Sequence, residues 1–557
     1  MDRMAYLKPV CWLLAVTMIA DGLSSERDFR SKILVTAPSV TCSHLFSSAE
    51  IARTLSARGN DVWFLIDEEL YDRHAATLAL PEQMKVAFYK TALSYTESET
   101  YVRRYVSKQL RDSSANTAKQ YRLEAEDREI QERLGGRKVD LFTATSVGTD
   151  DILGIEELMR GLKAAGFDMI VGDYTAQFYV ILSQVLQVPY IHIGLTPIAP
   201  SQHDRPAYTP SHPAYVPERF SAVSDTMTIR ERLKNYLLYW VMSYSYDKYV
   251  LTPYDKLLQK RNIRPDANFF QLLTEAKLWI FNSDFVVDFP RPLNPQVKFV
   301  GGFLAGSAKP LNQEWQSFVD GAGEHGIVIM ALGTLISDEL TDQQAESIAS
   351  SLALLSQKVA WSYSGKLPKT LGNNTKVVKW LPQNDLLGHP KTRAFISHGG
   401  LNSIHQCIYH AVPMVGIPVF GDQKDNFIRL GAKGMSVLLD IHQLTERSIY
   451  DATVEIIYNE TYKEAVQRYS AIARDRVTPM TALEEVAYWV EYAVRHGTDH
   501  LKPRAMQLSF VQYYLLDVIA ITVVIVTIMC WCVVNVGRCL FRGFTPPVVR
   551  VPGIPVS

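Results

Sequence analysis

One repeated alternation limits what this 557-residue chain can fold into more than any other feature. In the second half, the short apolar runs "GIVIMALGT", "VAWSYSG", "KVVKWLP", "RAFISHGG", "PMVGIPVFG" and "SVLLDI" are separated by segments with helical spacing. An apolar run of this length bounded by Gly or Pro reads as a buried strand. Helices between such strands imply parallel pairing, because a parallel connection must cross back over the sheet. The first half behaves alike. "KILVTAP" leads through "SVTCSHLF" into amphipathic "SSAEIARTLSARG", and then "DVWFLI", with Gly59 ending the helix. "GFDMIVGDYTAQFYVILSQVLQVPYIHIG" is a further strand-helix-strand unit, with Asp173 at the C-terminal end of its first strand. The expected class is α/β with two domains, since one ordinary core does not extend over this length.

The ends read differently. Residues 1–24 resemble a signal peptide: Arg3 and Lys8 precede "VCWLLAVTMIA", an apolar core too short to span a bilayer, and small residues Ala20 and Gly22 follow. "VIAITVVIVTIMCWCVVNV", residues 518–536, carries no charge and is long enough to cross the hydrocarbon core. Together they predict a single-pass type I membrane protein, lumenal for nearly its whole length, with residues 537–557 as a cytosolic tail. Residues 30–285 are expected to form the first domain and 300–497 the second, joined by Pro/Gly-rich "NSDFVVDFPRPLNPQVKFVGGF". The polar stretch from about Tyr71 to Gly136 reads as insertions rather than core. Aromatic-rich "NYLLYWVMSYSYDKYVLTPYD", residues 235–255, reads as a buried helix ahead of an acceptor wall or a membrane-surface helix.

A net charge of −1 leaves no basic footprint for nucleic acid. Cys42 and Cys407 are the only cysteines between the two apolar termini, which is neither a disulfide framework nor a metal-ligand spacing. Two sequons, at Asn373 and Asn459, could carry glycans in a lumenal compartment. Homo-oligomerisation is left open.

Ligands bind at the C-terminal ends of strands in open parallel sheets. Four such ends in the second half are polar or small: Gly333-Thr334, Trp380-Leu381-Pro382-Gln383, Ser397-His398-Gly399-Gly400 and Gly421-Asp422-Gln423. Glycines let the backbone approach closely, and free N–H groups at a helix start near Asn402 and Ser403 favour an anion. His398 can donate to phosphate, Trp380 offers a face to a base, Gln383 pairs with a base edge, and Asp422 and Gln423 can hold sugar hydroxyls. Taken singly, a strand-end histidine is more often structural and a tryptophan more often core. Their recurrence along one α/β series carries the argument.

The block "WLPQNDLLGHPKTRAFISHGGLNSIHQCIYHAVPMVGIPVFGDQKDN" resembles the signature of the UDP-glycosyltransferases, in particular the animal UDP-glucuronosyltransferases. "SHLF", "NSDFVVDFPRPLNPQVKFVGG" and "SFVQYYLLDV" extend the resemblance over nearly the whole chain. It implies a GT-B fold, two Rossmann-like domains facing a cleft, and no cofactor beyond the co-substrate UDP-sugar. It implies that Trp380 stacks on uracil, that Gln383 contacts uracil or ribose, and that His398 with backbone groups near Gly400, Asn402 and Ser403 holds the diphosphate. Asp422 and Gln423 would bind the sugar, His44 would be the catalytic base and Asp173 its partner. The chain contains no Asp-x-Asp pair, which fits transfer without a metal.

The same resemblance exposes departures. Gln406 stands where the family usually has a Glu that holds the ribose, Ala411 where it usually has Gly, and Ser362 where many members have Arg. The tail lacks a dilysine ending, so endoplasmic-reticulum residence is expected without that signal. The expected activity is inverting transfer of glucuronate or glucose to a small lipophilic acceptor at a membrane. The alternatives are a glycolipid-forming galactosyltransferase like ceramide galactosyltransferase, and a catalytically weak UDP-sugar-binding membrane protein.

Overall fold

The computed structural model describes residues 30–38, 42–110, 144–337, 339–476 and 479–543. Two all-parallel sheets organise it. The first comprises β1 (Lys32–Thr36), β2 (Asp61–Asp67), β3 (Lys85–Tyr89), β4 (Met169–Asp173), β5 (Tyr190–Gly194), β6 (Trp279–Phe281) and β7 (Val297–Phe299) in the order β3-β2-β1-β4-β5-β6-β7. The second comprises β8 (Ile327–Ala331), β9 (Lys358–Ser362), β10 (Thr375–Val378), β11 (Thr392–Ser397), β12 (Met414–Gly416) and β13 (Ser436–Leu438) in the order β10-β9-β8-β11-β12-β13. Each order reverses direction once, between β1 and β4 and between β8 and β11. Connections leave to opposite sides at such a point and open a crevice beyond the strand ends.

The helices used below are α1 (Cys42–Ala57), α2 (Ile229–Tyr246), α3 (Leu401–Tyr409), α4 (Gln423–Ala432), α5 (Ala482–His496) and α6 (Leu516–Gly543). Strand side chains alternate between the two faces of each sheet. Ile33 and Val35 join one core and Leu34 the other. In β11, Ala394 and Ile396 face away from Phe395. Both faces are covered by helices, which is why these strands read as continuous apolar runs.

Three segments differ from the sequence reading. The Pro/Gly-rich stretch read as a linker carries β7, which pairs with β6 (Trp279↔Val297) and completes the first sheet. The helix Tyr95–Leu110, in the region read as insertions, sends Val102, Val106 and Leu110 into the core of the second sheet; residues 111–143 lie outside the described residues. Residues 482–496, expected with the second domain, return to the first. Ala482, Val486, Val490 and Ala493 of α5 pack with Ile33, Leu55 and Ile280, and Glu491 binds Arg58 (2.7 Å) and Asn60 (2.9 Å). A strand three residues long and an apolar helix face carry no label for the sheet they complete.

Residues to Leu501 form one unit and residues from Lys502 another. In the second, α6 contains the one described helix apolar and long enough to cross a membrane, Leu516–Phe541, with mean hydropathy 2.6. The signal-peptide reading, residues 1–24, falls outside the described residues, as does the tail from residue 544.

Candidate active site

His44 lies in the first turn of α1, just after β1, and Asp173 is the last residue of β4. β1 and β4 are paired neighbours (Thr36↔Gly172), so the reversal in the first sheet brings the two side chains together. His44 Nδ1 lies 2.6 Å from Asp173 Oδ2. A carboxylate only accepts, so Nδ1 carries the proton and Nε2 is left basic. Nε2 makes no hydrogen bond to the described residues. The other carboxylate oxygen accepts from the Thr175 N–H (2.8 Å) and hydroxyl (2.8 Å). Asp173 is thereby immobilised and almost wholly buried, while the His44 side chain keeps 13% of its surface exposed. Burial disfavours the imidazolium, yet the charge and hydrogen bond of Asp173, aided by Asp422 and opposed by Arg219, hold the His44 pKa above its ordinary value.

At the reversal of the second sheet, His398 follows β11 and Gly333 follows β8, with Ala331 and Ser397 in register. The ring sits between two glycines. A Cβ on Gly333 would stand 2.9 Å from Nε2, and one on Gly400 2.8 Å. Gly333 also has φ +82°, a conformation that suits glycine. Burial pushes the His398 pKa down to about 4, against the opposing influence of the Ala331 carbonyl and Asp422, so the ring is neutral near pH 7. Nδ1 is buried without a hydrogen bond. Gly400 caps α3 with no side-chain acceptor, leaving the first-turn N–H groups at Leu401, Asn402 and Ser403 without one. A neutral imidazole beside a bare helix N-terminus suits an anion.

The remaining predicted residues surround this point. Trp380 is 60% exposed, its ring edge-on to Phe46 of α1 at 6.0 Å. Gln383 donates to Gln406 Oε1 (2.7 Å) and to Ser403 Oγ (3.1 Å), and Gln406 donates onward to the Leu304 carbonyl (2.9 Å). Asn402 bridges the two sheets' domains, accepting from Asn282 (2.9 Å) and donating to Ser47 Oγ (3.3 Å). Gln423 accepts the N–H groups of Val419 (2.8 Å) and Phe420 (3.0 Å), so its oxygen shapes the loop and its amide nitrogen remains to be offered. Asp422 begins α4 and accepts from Asn426 at 2.7 Å. Thr334 is exposed beside Gly333. Ser362 donates to the Lys379 carbonyl (3.2 Å).

Sequence reasoning missed the loop that faces this site from the first domain. Arg219 Nη2 stands 3.9 Å from Asp422 Oδ1. Asp425 accepts the N–H groups of Phe220 (2.6 Å) and Ala222 (2.9 Å), both at positive φ. Nothing local marks these residues, because their partners lie about two hundred positions away in the chain.

Residues 31–550 match the family model described as UDP-glucoronosyl and UDP-glucosyl transferase. The chain is 35% identical over 489 residues to the rat (Rattus norvegicus) 2-hydroxyacylsphingosine 1-beta-galactosyltransferase, covering 88% of this chain and 84% of the relative. It is 38% identical over 393 residues to human (Homo sapiens) UDP-glucuronosyltransferase 2B17, covering 70% and 73%. Among solved structures, a UDP-glucosyltransferase from Polygonum tinctorium capable of glucosylating indoxyl superposes with TM-score 0.55 at 16% identity over 83% of this chain and 99% of that one. The calicheamicin glycosyltransferase CalG4 gives 0.51 at 16% over 84% and 99%.

Proposed function

Because the chain belongs to the UDP-glucoronosyl and UDP-glucosyl transferase family, we propose that it moves glucuronate or glucose from a UDP-sugar to a hydroxyl of a small lipophilic acceptor beside a membrane. The enzyme is a UDP-glycosyltransferase of GT-B fold. The observation that carries the reading is the 2.6 Å His44–Asp173 pair at the crevice of the first sheet, with Nε2 left basic and Asp422 near enough to raise its pKa.

An acceptor hydroxyl is a poor nucleophile until its proton is taken as attack proceeds. His44 Nε2 accepts that proton. Asp173 keeps the proton on Nδ1 and stabilises the imidazolium that forms. The oxygen attacks C1 of the sugar as the bond to UDP breaks on the opposite face, inverting the configuration. Trp380 and Gln383 hold the nucleotide. His398 and the N–H groups at the start of α3 receive the charge that develops on the diphosphate. Asp422 and the Gln423 amide orient the sugar. On the uncharged residues 518–536 within α6, taken together with the signal-peptide-like residues 1–24, we base a type I topology with lumenal domains, in the endoplasmic reticulum.

A second reading, β-galactosyl transfer to a sphingolipid, is favoured by the longer match to the galactosyltransferase, 88% of the chain against 70%. The test is UDP release by the purified full chain with UDP-glucuronate, UDP-glucose and UDP-galactose against phenolic, sterol and ceramide acceptors. His44→Ala should lower turnover by about 10²–10⁴-fold. Equal release from both proteins, or none across the panel, would sink the enzyme mechanism.

A further inference from the structure

Past the residues assigned to the donor, the strand ends of the second sheet open onto a further pocket. It encloses about 490 Å³, within the roughly 300–1,000 Å³ typical of small-molecule sites. Most of its wall comes from the loops after β12 and β13. Val419, Phe420, Leu438 and Leu439 line it and are only half-buried, so apolar surface is left open. Its polar residues Lys424, Asp440 and His442 are exposed and belong to the rim. The first domain closes it with Phe220, Ala222 and Tyr105, whose ring meets Phe420 edge-on at 6.3 Å. The loop that carries Phe220 is fixed on several sides. Asp425 holds its N–H groups, and Glu218 accepts from the Ser201 N–H and hydroxyl, both at 2.9 Å. The helix α2, read from the sequence as buried, holds the loop with a polar residue instead. Its buried Asn235 accepts from the Glu218 N–H (2.7 Å) and donates to the carbonyls of Pro213 (2.8 Å) and Val216 (2.9 Å), while Leu233, Leu237 and Trp240 are exposed. A wall already held in place costs little to order when the pocket fills.

The strand order says what adjoins this pocket. In β10-β9-β8-β11-β12-β13, Trp380 follows β10, His398 follows β11 and Asp422 follows β12. On the roles proposed above, nucleotide, diphosphate and sugar run across the sheet toward β13. The pocket begins at Gly421, one residue before Asp422, and continues to the loop after β13. In an inverting transfer the acceptor approaches C1 from the side opposite UDP. The rest of the acceptor therefore extends past the sugar, away from the nucleotide. We propose that this pocket receives the far end of the acceptor. The second domain, which carries the donor residues, then also supplies the subsite that selects acceptors by length. It favours elongated amphiphiles, with the reacting hydroxyl at one end and a lipophilic tail at the other, over compact phenols. The inference rests on the transfer reading given under the proposed function.

The test has two arms, both on the purified full chain. In the first, the protein is irradiated with a para-octylphenol carrying a diazirine at the end of its chain, with UDP present, and labelled peptides are identified by mass spectrometry. Label that excess para-octylphenol displaces should fall on residues 418–424 and 438–442. Displaceable label only outside the pocket, or none, overturns the inference. In the second arm, kcat/KM is measured for para-alkylphenols from methyl to octyl. The wild type should gain roughly fourfold for each methylene that enters the pocket. Leu439→Trp, which fills the pocket, should keep the methylphenol value and lose the gain. No gain in the wild type, or an equal gain in Leu439→Trp, overturns the inference. Labelling does not depend on turnover, so it stands if the variant fails to fold. Pocket labelling with no turnover on any phenol would support the subsite and fail the transfer reading instead.

Discussion

Replacing Gln406 with Glu restores the residue that the family usually carries, and the structure says what that exchange does. The Gln406 amide is used at both ends: its oxygen accepts from Gln383 at 2.7 Å and its nitrogen donates to the Leu304 carbonyl at 2.9 Å. Glutamate keeps the first bond and loses the second, since a carboxylate oxygen cannot face a carbonyl oxygen at that distance. Without nucleotide, Gln406→Glu should therefore be less stable by about 1 kcal/mol, the net worth of one neutral hydrogen bond. The freed carboxylate can then accept from ribose hydroxyls. A charged acceptor contributes about 1.5–3 kcal/mol against about 0.5–1.5 for a neutral one. The gain of about 1–1.5 kcal/mol corresponds to roughly five- to tenfold tighter binding. Gln406 is only partly buried, so desolvation of the new charge is modest. Calorimetric titration with UDP, the donor KM and thermal melts with and without UDP measure each part. A variant with lower stability but unchanged UDP affinity would show that this position does not reach the ribose. Unchanged stability would show that the Leu304 bond contributes nothing.

Asp173→Asn should lower kcat by about 10²–10⁴-fold with little change in donor KM. Its sign in pH is fixed as well: the base must be neutral, so activity falls as pH drops through the His44 pKa, which Asp173 holds above its ordinary value against burial. Without that carboxylate burial prevails, and the acid limb of kcat/KM should move to lower pH; an unmoved limb refutes the pairing. Ala411, where the family usually has glycine, sits at φ +54°. Ala411→Gly relieves about 1–2 kcal/mol of left-handed strain against about 0.4–1 of added unfolded-chain entropy, so the melting temperature should rise by about 1–2 °C; a fall would mean that the strain is absent. Arg219→Gln should raise the KM for UDP-glucuronate more than for UDP-glucose or UDP-galactose, because it removes a cation 3.9 Å from Asp422. Equal changes for all three donors would show that Arg219 does not meet the sugar's carboxylate.

Much of the site is legible in the chain because its chemistry sits where local periodicity stops. Asp173 closes β4, and His398 with its glycines follows β11; strand ends can be read from apolar runs and the residues that punctuate them. The roles proposed for His44 and Gln383 needed the family resemblance, since a histidine early in a helix and a glutamine after a proline are ordinary on their own. That Gln406 is tied to Gln383 and Leu304, that Asn402 reaches Ser47, and that Gln423 turns its oxygen to its own loop were not readable. Those side chains can each make several equivalent bonds, and only packing chooses among them.

By itself, the sequence determined two parallel α/β halves, the polar and glycine-rich strand ends on which the proposed donor site rests, and an uncharged segment long enough to cross a bilayer. All of these follow from the order of apolar and polar residues over a few turns or strands. Only the tertiary structure decided that β7 and α5 complete the first sheet, that Arg219 stands over Asp422, and that the apolar face of α2 points outward. The physical reason is the same in each case. Periodicity specifies which face of an element is apolar, but what covers that face depends on groups hundreds of residues away.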